Sequence, residues 1–198
     1  MILTQSELTT LADLEAACSN SKAELGSVLQ RDRIAMLADR ACSIVEGDLL
    51  ECGCYVGATS EILARIARKY ERKLICVDTF LGGDDYHLDE IGKIFEKNMQ
   101  PYWDVLIFMH DDFHAPQVIE IAQKRRYALV FLDNGHSTAE HISELETTLP
   151  VCDGLIAVDD VNFPGVRDAI NCVLGSGRFP EWNCMYDPRL REEWLVKC

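Results

Sequence analysis

Short apolar runs alternate with amphipathic stretches along the chain from residue 48 onward. The apolar runs have the length and composition of strands buried on both faces, and the stretches between them repeat apolar residues at helical spacing. We predict strands at residues 48–52, 73–77, 105–109, 127–132 and 154–158. We predict helices at residues 58–70, 88–99, 116–124, 139–148 and 164–174. This alternation is typical of a parallel sheet that helices cover on both faces.

Both ends of the chain depart from the alternation. Residues 182–186 and 193–197 flank Asp187-Pro188-Arg189, a pattern that predicts an antiparallel hairpin at the edge of the sheet. Apolar residues at helical spacing before residue 48 predict N-terminal helices within residues 1–47. We therefore predict a single domain over residues 1–198, whose α/β core at residues 48–198 is a doubly wound, mostly parallel seven-stranded sheet.

Acidic residues outnumber basic ones, with 33 Asp and Glu against 19 Lys and Arg, a formal net charge of −14 and a pI of about 4.7. Such a field repels phosphate groups, so we expect neither nucleic acid nor an anionic membrane surface as a partner. The N-terminus lacks a basic stretch followed by an apolar core, and no apolar run approaches the ~20 residues that span a bilayer. The sequence therefore favours a cytoplasmic protein.

Nine cysteines are distributed along the chain without the paired spacing of a zinc site or the even count of a disulfide scaffold. Cys52 and Cys54 bracket Gly53, which leaves a metal site as an alternative. Most of the nine lie in apolar runs, as Cys76 does in the second predicted strand. Because a free cysteine packs as a small apolar residue, we expect these side chains to be reduced and buried.

The turn after the first predicted strand has glycine at two positions, Gly53 and Gly57. In an open α/β sheet, ligands bind beyond the carboxyl ends of the strands, where glycine lets the backbone approach a ligand closely. The spacing differs from the Gly-x-Gly-x-x-Gly dinucleotide fingerprint. Glu51 beside the turn would attract a cationic cofactor, and Asp78 at the end of the second strand would accept hydrogen bonds from ribose hydroxyls. These features favour an adenosine-bearing cofactor; the alternative is an ordinary strand-to-helix turn, with Asp78 as a helix cap.

Carboxylates also follow the next two central strands. Asp133 comes directly after the fourth predicted strand, and Asp159 and Asp160 come directly after the fifth. Adjacent strand ends lie about 5 Å apart, so the three carboxylates can share one cation. Oxygen ligands suit Mg²⁺, with Mn²⁺ or Ca²⁺ as alternatives. His136 would be a general base for a hydroxyl whose pKa the metal lowers. The alternative is that these acids cap helices or lie solvated in loops.

Together these motifs resemble those of class I S-adenosylmethionine-dependent methyltransferases over residues 48–198. The segment from Glu51 to Ser60 is similar to the first motif of that family, in which the glycines lie beside the methionine part of the cofactor. The segments that resemble the macrocin and mycinamicin O-methyltransferase subgroup are Asp78-Thr79-Phe80-x-Gly82, Asp133-x-x-His136 and Asp159-Asp160. The resemblance implies a Rossmann-like methyltransferase fold and methyl transfer from S-adenosylmethionine to a hydroxyl of a small molecule.

The resemblance also implies residue roles. His136 would be the catalytic base, and Asp133, Asp159 and Asp160 would bind Mg²⁺ or another divalent cation. Residues 110–113 fall where the family contacts adenine, although His110 replaces the usual Gly. The residues that would contact the cofactor are Glu51, Gly53, Tyr55, Gly57, Ser60, Asp78, Thr79, Phe80, Asp111, Asp112, Phe113 and Asp133.

Two other functions stay open. A nicotinamide-dependent dehydrogenase shares the fold class, but the dinucleotide fingerprint that it requires is missing. A non-catalytic or metal-independent S-adenosylmethionine-binding domain would keep the fold and the cofactor pocket without the metal chemistry. The sequence identifies neither the acceptor nor the oligomeric state; a homo-oligomer would pair through the N-terminal helices or the sheet edge.

Overall fold

The computed structural model describes residues 31–81, 88–135, 137–187 and 192–197. Its strands are β1 (Asp48–Cys52), β2 (Leu74–Asp78), β3 (Leu106–His110), β4 (Tyr127–Leu132), β5 (Cys152–Val158), β6 (Trp182–Asp187) and β7 (Glu192–Lys197). Its helices are α1 (Arg31–Ile44), α2 (Ala58–Lys69), α3 (Leu88–Met99), α4 (Pro116–Gln123), α5 (Thr138–Thr148) and α6 (Pro164–Gly175). Short 3₁₀ turns at Gln100–Tyr102 and Leu149–Val151 follow α3 and α5.

The strands form one sheet in the order β3-β2-β1-β4-β5-β7-β6. Strands β1 to β5 pair in parallel, which confirms the predicted α/β fold with a parallel sheet. Strand β7 pairs antiparallel with β5 and with β6, and the connection at residues 188–191 lies outside the described residues. The order of the strands reverses between β1 and β4, so the connections after these two strands flank the crevice where ligands bind in such sheets.

Three of the described helices pack on each face of the sheet, and alternate residues of the central strands point to opposite faces. Leu49 of β1 joins the first core layer, which packs against α1, α2 and α3. Leu50 joins the second core layer, which packs against α4, α5 and α6. Strand β4 is accordingly a continuous apolar run, and β1 and β2 are buried at every position but one, as strands covered on both faces are.

The predicted bounds of the central strands and the following helices agree with the observed ones to within two residues. The largest difference is at β5, which begins at Cys152 because that residue already pairs with Tyr127 of β4. The thiols of Cys42, Cys52, Cys54, Cys76 and Cys152 are reduced and buried, as expected, whereas Cys172 and Cys184 are exposed. Among the described helices, none combines the length and the apolar character needed to cross a membrane.

Candidate functional site

The glycine turn joins β1 to α2 and packs against the carboxyl end of β4. Gly53 has a φ of 85°, and a Cβ atom at this position would lie 1.9 Å from the carbonyl oxygen of Asp133. Its amide donates to the carbonyl of Val77 at the end of β2, over 3.0 Å. Gly57, with a φ of 89°, occupies the position just before α2. Only glycine meets both demands at Gly53, the left-handed backbone and the close approach.

Asp78 at the end of β2 holds the glycine turn through its side chain. Its Oδ2 accepts hydrogen bonds from the amides of Cys54 and Tyr55, at 2.6 and 2.8 Å. Its Oδ1 accepts one from the amide of Phe80, at 2.6 Å. A carboxylate has about four acceptor positions, so about one is left for a ribose hydroxyl. Asp78, the residue predicted to bind the ribose, therefore also stabilises the glycine turn.

Glu51 is fully buried at the end of β1, beneath the glycine turn. The Cys76 thiol donates to its Oε2 over 3.4 Å, whereas Oε1 has no hydrogen-bond partner in the described part of the chain. The hydroxyls of Thr59 and Ser60, in the first turn of α2, are also buried and unpartnered there. Burial raises the pKa of Glu51 to about 8, and the nearby charge of Asp78 adds to that effect. The structure thus brings the predicted Glu51 and Ser60 to one end of the sheet.

Thr59 is a further buried polar residue of α2 that the motifs did not predict as part of the site. It lies beside the predicted Ser60 in the first turn of α2, and both residues are buried. Buried polar groups are nearly always hydrogen-bonded, so the unpartnered oxygens of Glu51, Thr59 and Ser60 in the described part of the chain are unusual. They indicate a place where a polar ligand belongs.

Cys54 and Cys76 surround Glu51, and one ligand atom from each of the three residues lies within 4.8 Å of the others. The Cys54 thiol lies 3.6 Å from the carbonyl oxygen of Val77 and donates to it. Burial raises the pKa of both thiols, that of Cys76 to about 11. Both groups are therefore neutral S–H donors at physiological pH rather than thiolate ligands.

The segment after β2 is anchored by aromatic packing. The buried ring of Phe80 lies 5.2 Å from the ring of Phe95 and 5.5 Å from that of Phe108, between centroids. His110, at the end of β3, stands 5.3 Å from Phe80, and its Nε2 lies 3.0 Å from the carbonyl oxygen of Thr79. Since a carbonyl only accepts, Nε2 carries the proton. His110, which replaces the usual Gly of the family, thus connects the end of β3 with the segment after β2.

The predicted adenine-binding residues separate in the structure. Asp111 is half-buried, and its Oδ2 accepts from the Gln117 side chain over 2.7 Å. Asp112 is exposed and accepts from the His114 amide and ring, hydrogen bonds that lower its pKa. Phe113 is only 1% exposed and packs in the second core layer. Its ring therefore belongs to the core, and Asp111 and Asp112 are the polar groups left at the surface.

The predicted metal ligands lie at the ends of two adjacent strands. The Asp133 amide donates to the carbonyl of Cys52 over 2.8 Å, and the Asp159 amide donates to that of Leu132 over 3.0 Å. Asp160 has a φ of 55°, and its amide donates to Asp159 Oδ1 over 2.7 Å. Among the described residues, the group whose ligand atoms all lie within 4.8 Å of one another is Glu51, Cys54 and Cys76. His136 lies outside the described residues.

A buried polar network next to Asp133 was not predicted. Glu144 of α5 is fully buried, and its Oε1 accepts from the Asn134 side chain over 3.1 Å. Its Oε2 lies 2.9 Å from Nδ1 of the buried His141, and its Oε1 lies 3.8 Å from Nε2 of His114. Histidine and glutamate three residues apart on a helix were the available signal. The network fixes the segment that follows β4.

Known proteins share this fold. Solved structures that resemble it include CalS11, the TDP-rhamnose 3′-O-methyltransferase of calicheamicin biosynthesis, at 19% identity and a TM-score of 0.63 over 99% of this chain and 96% of that chain. A candidate caffeoyl-CoA O-methyltransferase from Staphylococcus aureus is 13% identical, with a TM-score of 0.66 over 98% of this chain and 100% of that one. An O-methyltransferase from Bacillus cereus in complex with SAH is 15% identical, with a TM-score of 0.62 over 100% and 93%. No curated protein gave a significant match.

A family model described as a methyltransferase domain matches residues 50–161. The matched range is more than half of the chain and contains the glycine turn, Asp78, Asp133, Asp159 and Asp160. The structural likenesses, at these identities, show the fold alone. The family match identifies the chain as a member of the methyltransferase domain family, with the class I S-adenosylmethionine-dependent fold that its motifs predicted.

Proposed function

We propose that this methyltransferase transfers the methyl group of S-adenosylmethionine to a hydroxyl oxygen of a small molecule. The observation that carries the proposal is the buried polar region at the end of β1. There Glu51 Oε1, Thr59 Oγ1 and Ser60 Oγ have no partner in the described part of the chain. These side chains offer one carboxyl group and two hydroxyls to a polar ligand.

The residues fit the methionine part of S-adenosylmethionine. That part carries an ammonium, a carboxylate and a sulfonium, so the cofactor has a net charge of about +1 near neutral pH. An ionised Glu51 would accept from the ammonium, and the Thr59 and Ser60 hydroxyls would donate to the carboxylate. Gly53 lets the turn pack closely against the backbone at Asp133. Asp78 retains acceptor capacity for a ribose hydroxyl.

The bound cofactor supplies a methyl group on a positively charged sulfur, which makes that carbon electrophilic. The protein's part is to hold the acceptor oxygen in line with the methyl group and to remove its proton. We assign the proton removal to His136, three residues after Asp133. Glu144 supports this segment by holding the side chain of Asn134.

We also propose that Asp133, Asp159 and Asp160 bind Mg²⁺. The donor set fits by its chemistry, since three carboxylates at two adjacent strand ends suit a hard divalent cation. Bound there, the cation would supply Lewis acidity to the acceptor hydroxyl. The resemblance to the subgroup, through Asp78-Thr79-Phe80 and the acidic pair, also supports a Mg²⁺ site.

We further propose that residues 1–198 form a single domain.

A metal-independent function is the second candidate. It is favoured by one observation, that the group of possible metal ligands found in the described residues is Glu51, Cys54 and Cys76. In that case the chain would bind the cofactor and position the acceptor without a cation.

Calorimetric titration separates these functions. S-adenosylmethionine and S-adenosylhomocysteine are titrated into the protein with and without Mg²⁺. Binding of both, with a measurable Mg²⁺ site that Asp133→Ala removes, supports the metal-assisted transferase. Binding that is the same with and without Mg²⁺, together with no Mg²⁺ heat, selects the metal-independent function. Failure of both ligands to bind refutes the proposed function.

A further inference from the structure

Two thiols and one carboxyl group meet in a compact buried group at the end of β1. The group consists of Glu51, Cys54 and Cys76, and one ligand atom from each residue lies within 4.8 Å of the other two. Glu51 and Cys76 are register partners on the adjacent strands β1 and β2, so their side chains point to the same face of the sheet. Cys54 follows in the glycine turn, where Asp78 accepts a hydrogen bond from its amide. The backbone thus fixes the three ligands relative to one another without a cation.

One oxygen atom of this group lacks a partner. The Cys76 thiol donates to Glu51 Oε2 over 3.4 Å, and the Cys54 thiol donates to the carbonyl oxygen of Val77 over 3.6 Å. Glu51 Oε1 is fully buried and has no hydrogen-bond partner in the described part of the chain. Because buried polar atoms are nearly always partnered, this oxygen indicates that a ligand completes the group. Such a ligand has to bind an oxygen atom that lies beside two sulfur atoms.

Sulfur and carboxylate ligands together favour Zn²⁺ over a hard cation. Zn²⁺ binds thiolate sulfur at about 2.3 Å and carboxylate oxygen at about 2.0–2.2 Å, usually in tetrahedral geometry. Ligand atoms around such an ion lie roughly 3.3–3.8 Å apart, so the three side chains need to close by only about 1 Å. The fourth position is available to a water molecule or to the Ser60 hydroxyl, which is buried and unpartnered in the described chain. Mg²⁺ prefers oxygen ligands in octahedral geometry and does not suit this group.

The protons on the two thiols do not prevent Zn²⁺ from binding. Without a cation, both thiols donate hydrogen bonds to oxygen atoms. A thiol that coordinates Zn²⁺ is deprotonated by the charge of the cation, and its proton passes to the solvent. The two charges of the cation then offset those of the thiolates inside the buried region.

We propose that Glu51, Cys54 and Cys76 form a Zn²⁺ site, and that Zn²⁺ bound there excludes S-adenosylmethionine. The ion would occupy Glu51 Oε1, the atom that we assign to the ammonium of the cofactor. Two cations cannot share this buried carboxyl group, because their repulsion is strong where water is excluded. The exclusion rests on the proposed function, which places the ammonium at Glu51, whereas the Zn²⁺ site itself does not. Zn²⁺ would therefore inhibit the enzyme by competing with its cofactor, and Mg²⁺ would not.

The first test detects sulfur ligands with Co²⁺, which replaces Zn²⁺ and absorbs in the near ultraviolet when a thiolate coordinates it. Reduced protein is titrated with Co²⁺ in excess Mg²⁺, which competes for the carboxylates at the strand ends. We expect the thiolate band in wild type and in the control Cys172→Ser, whose thiol is exposed on α6. Cys76→Ser and Cys54→Ser should each weaken binding at least about a hundredfold, because even partners outside the ligand set are worth about 10–100-fold.

Two outcomes of this titration overturn the proposal. One is the absence of the thiolate band in wild type, a result that needs no variant and so decides even where a substitution prevents folding. The other is a Co²⁺ affinity that neither Cys76→Ser nor Cys54→Ser changes.

The second test measures competition between Zn²⁺ and S-adenosylhomocysteine, which keeps the ammonium of the cofactor. The Kd of S-adenosylhomocysteine is determined without Zn²⁺ and with Zn²⁺ at about ten times its own Kd. We expect Zn²⁺ to raise the apparent Kd about tenfold in wild type and in Cys172→Ser, and to leave it unchanged in Cys76→Ser. A wild-type Kd that Zn²⁺ does not change overturns the proposal. If S-adenosylhomocysteine does not bind even without Zn²⁺, the proposed function is refuted, and the Co²⁺ band still decides whether the Zn²⁺ site exists.

Discussion

The buried carboxyl group of Glu51 makes the stability of the protein depend on pH in a defined direction. Burial raises its pKa from 4.5 to about 8, so the folded state holds the proton more tightly than the unfolded state. Between these two values the unfolded chain binds fewer protons, and the free energy of unfolding falls as pH rises. The free-energy cost of ionising Glu51 in the folded state is absent below the pKa of the unfolded state and complete above the pKa of the folded state.

The size of this effect follows from the two pKa values. One pKa unit corresponds to about 1.4 kcal/mol, so ionising Glu51 in the folded protein costs about 5 kcal/mol in full. About 4 kcal/mol of this accrues between pH 5 and pH 9. In Glu51→Gln the side chain keeps its size but cannot ionise, which removes the pH-dependent part and leaves a constant difference.

Urea unfolding of wild type and Glu51→Gln at pH 5, 7 and 9 measures the effect. With an m-value of about 2–3 kcal/mol/M, the wild-type midpoint should fall by more than about 1 M relative to the variant across this range. Glu120→Gln, the same change at an exposed position of α4, should track the wild type at every pH. A difference between wild type and Glu51→Gln that stays constant from pH 5 to pH 9 would refute the reasoning.

Three further predictions concern the site. At pH 7, binding of the cationic S-adenosylmethionine should release up to about one proton from wild type and none from Glu51→Gln, measured by calorimetry in buffers of different ionisation enthalpy. Gly53→Ala should lower the free energy of unfolding in urea by about 2–4 kcal/mol, because its Cβ meets the Asp133 carbonyl. Gly175→Ala has open space around the new Cβ and should not lower it. Equal effects of the two substitutions would contradict this prediction. Asp133→Ala should abolish Mg²⁺ binding and leave the Kd for S-adenosylhomocysteine within about threefold; retained Mg²⁺ binding would contradict the assignment.

The parallel core could be predicted because its signals are local. Strands such as β4 are uniformly apolar, since both faces are buried, and proline marks the first turns of α4 and α6 at Pro116 and Pro164. Glycine or aspartate follows or ends most of the central strands, so the acidic strand ends could be placed at one edge of the sheet. These features depend on residues that are close in sequence.

Other parts of the site depend on contacts between distant segments. The turn at Cys54 and Tyr55 is held by Asp78, more than twenty residues away, and the sequence does not show that this carboxylate has backbone partners. Phe113 is predicted to contact the cofactor, and its acidic segment does not show that the ring packs in the second core layer. The sequence around Glu144 is that of an acidic residue on a helix surface, and only the folded chain places its carboxyl group beside Asn134. Such pairings arise only when the chain is packed.

The most direct test of the proposed site is a crystal structure of the protein with S-adenosylhomocysteine and Mg²⁺. We predict that the cofactor's ammonium lies within about 3.2 Å of Glu51 Oε1, its carboxylate near the Thr59 and Ser60 hydroxyls, and its ribose at Asp78. A cofactor bound elsewhere, or one that leaves Glu51 Oε1 without a partner, would contradict the account.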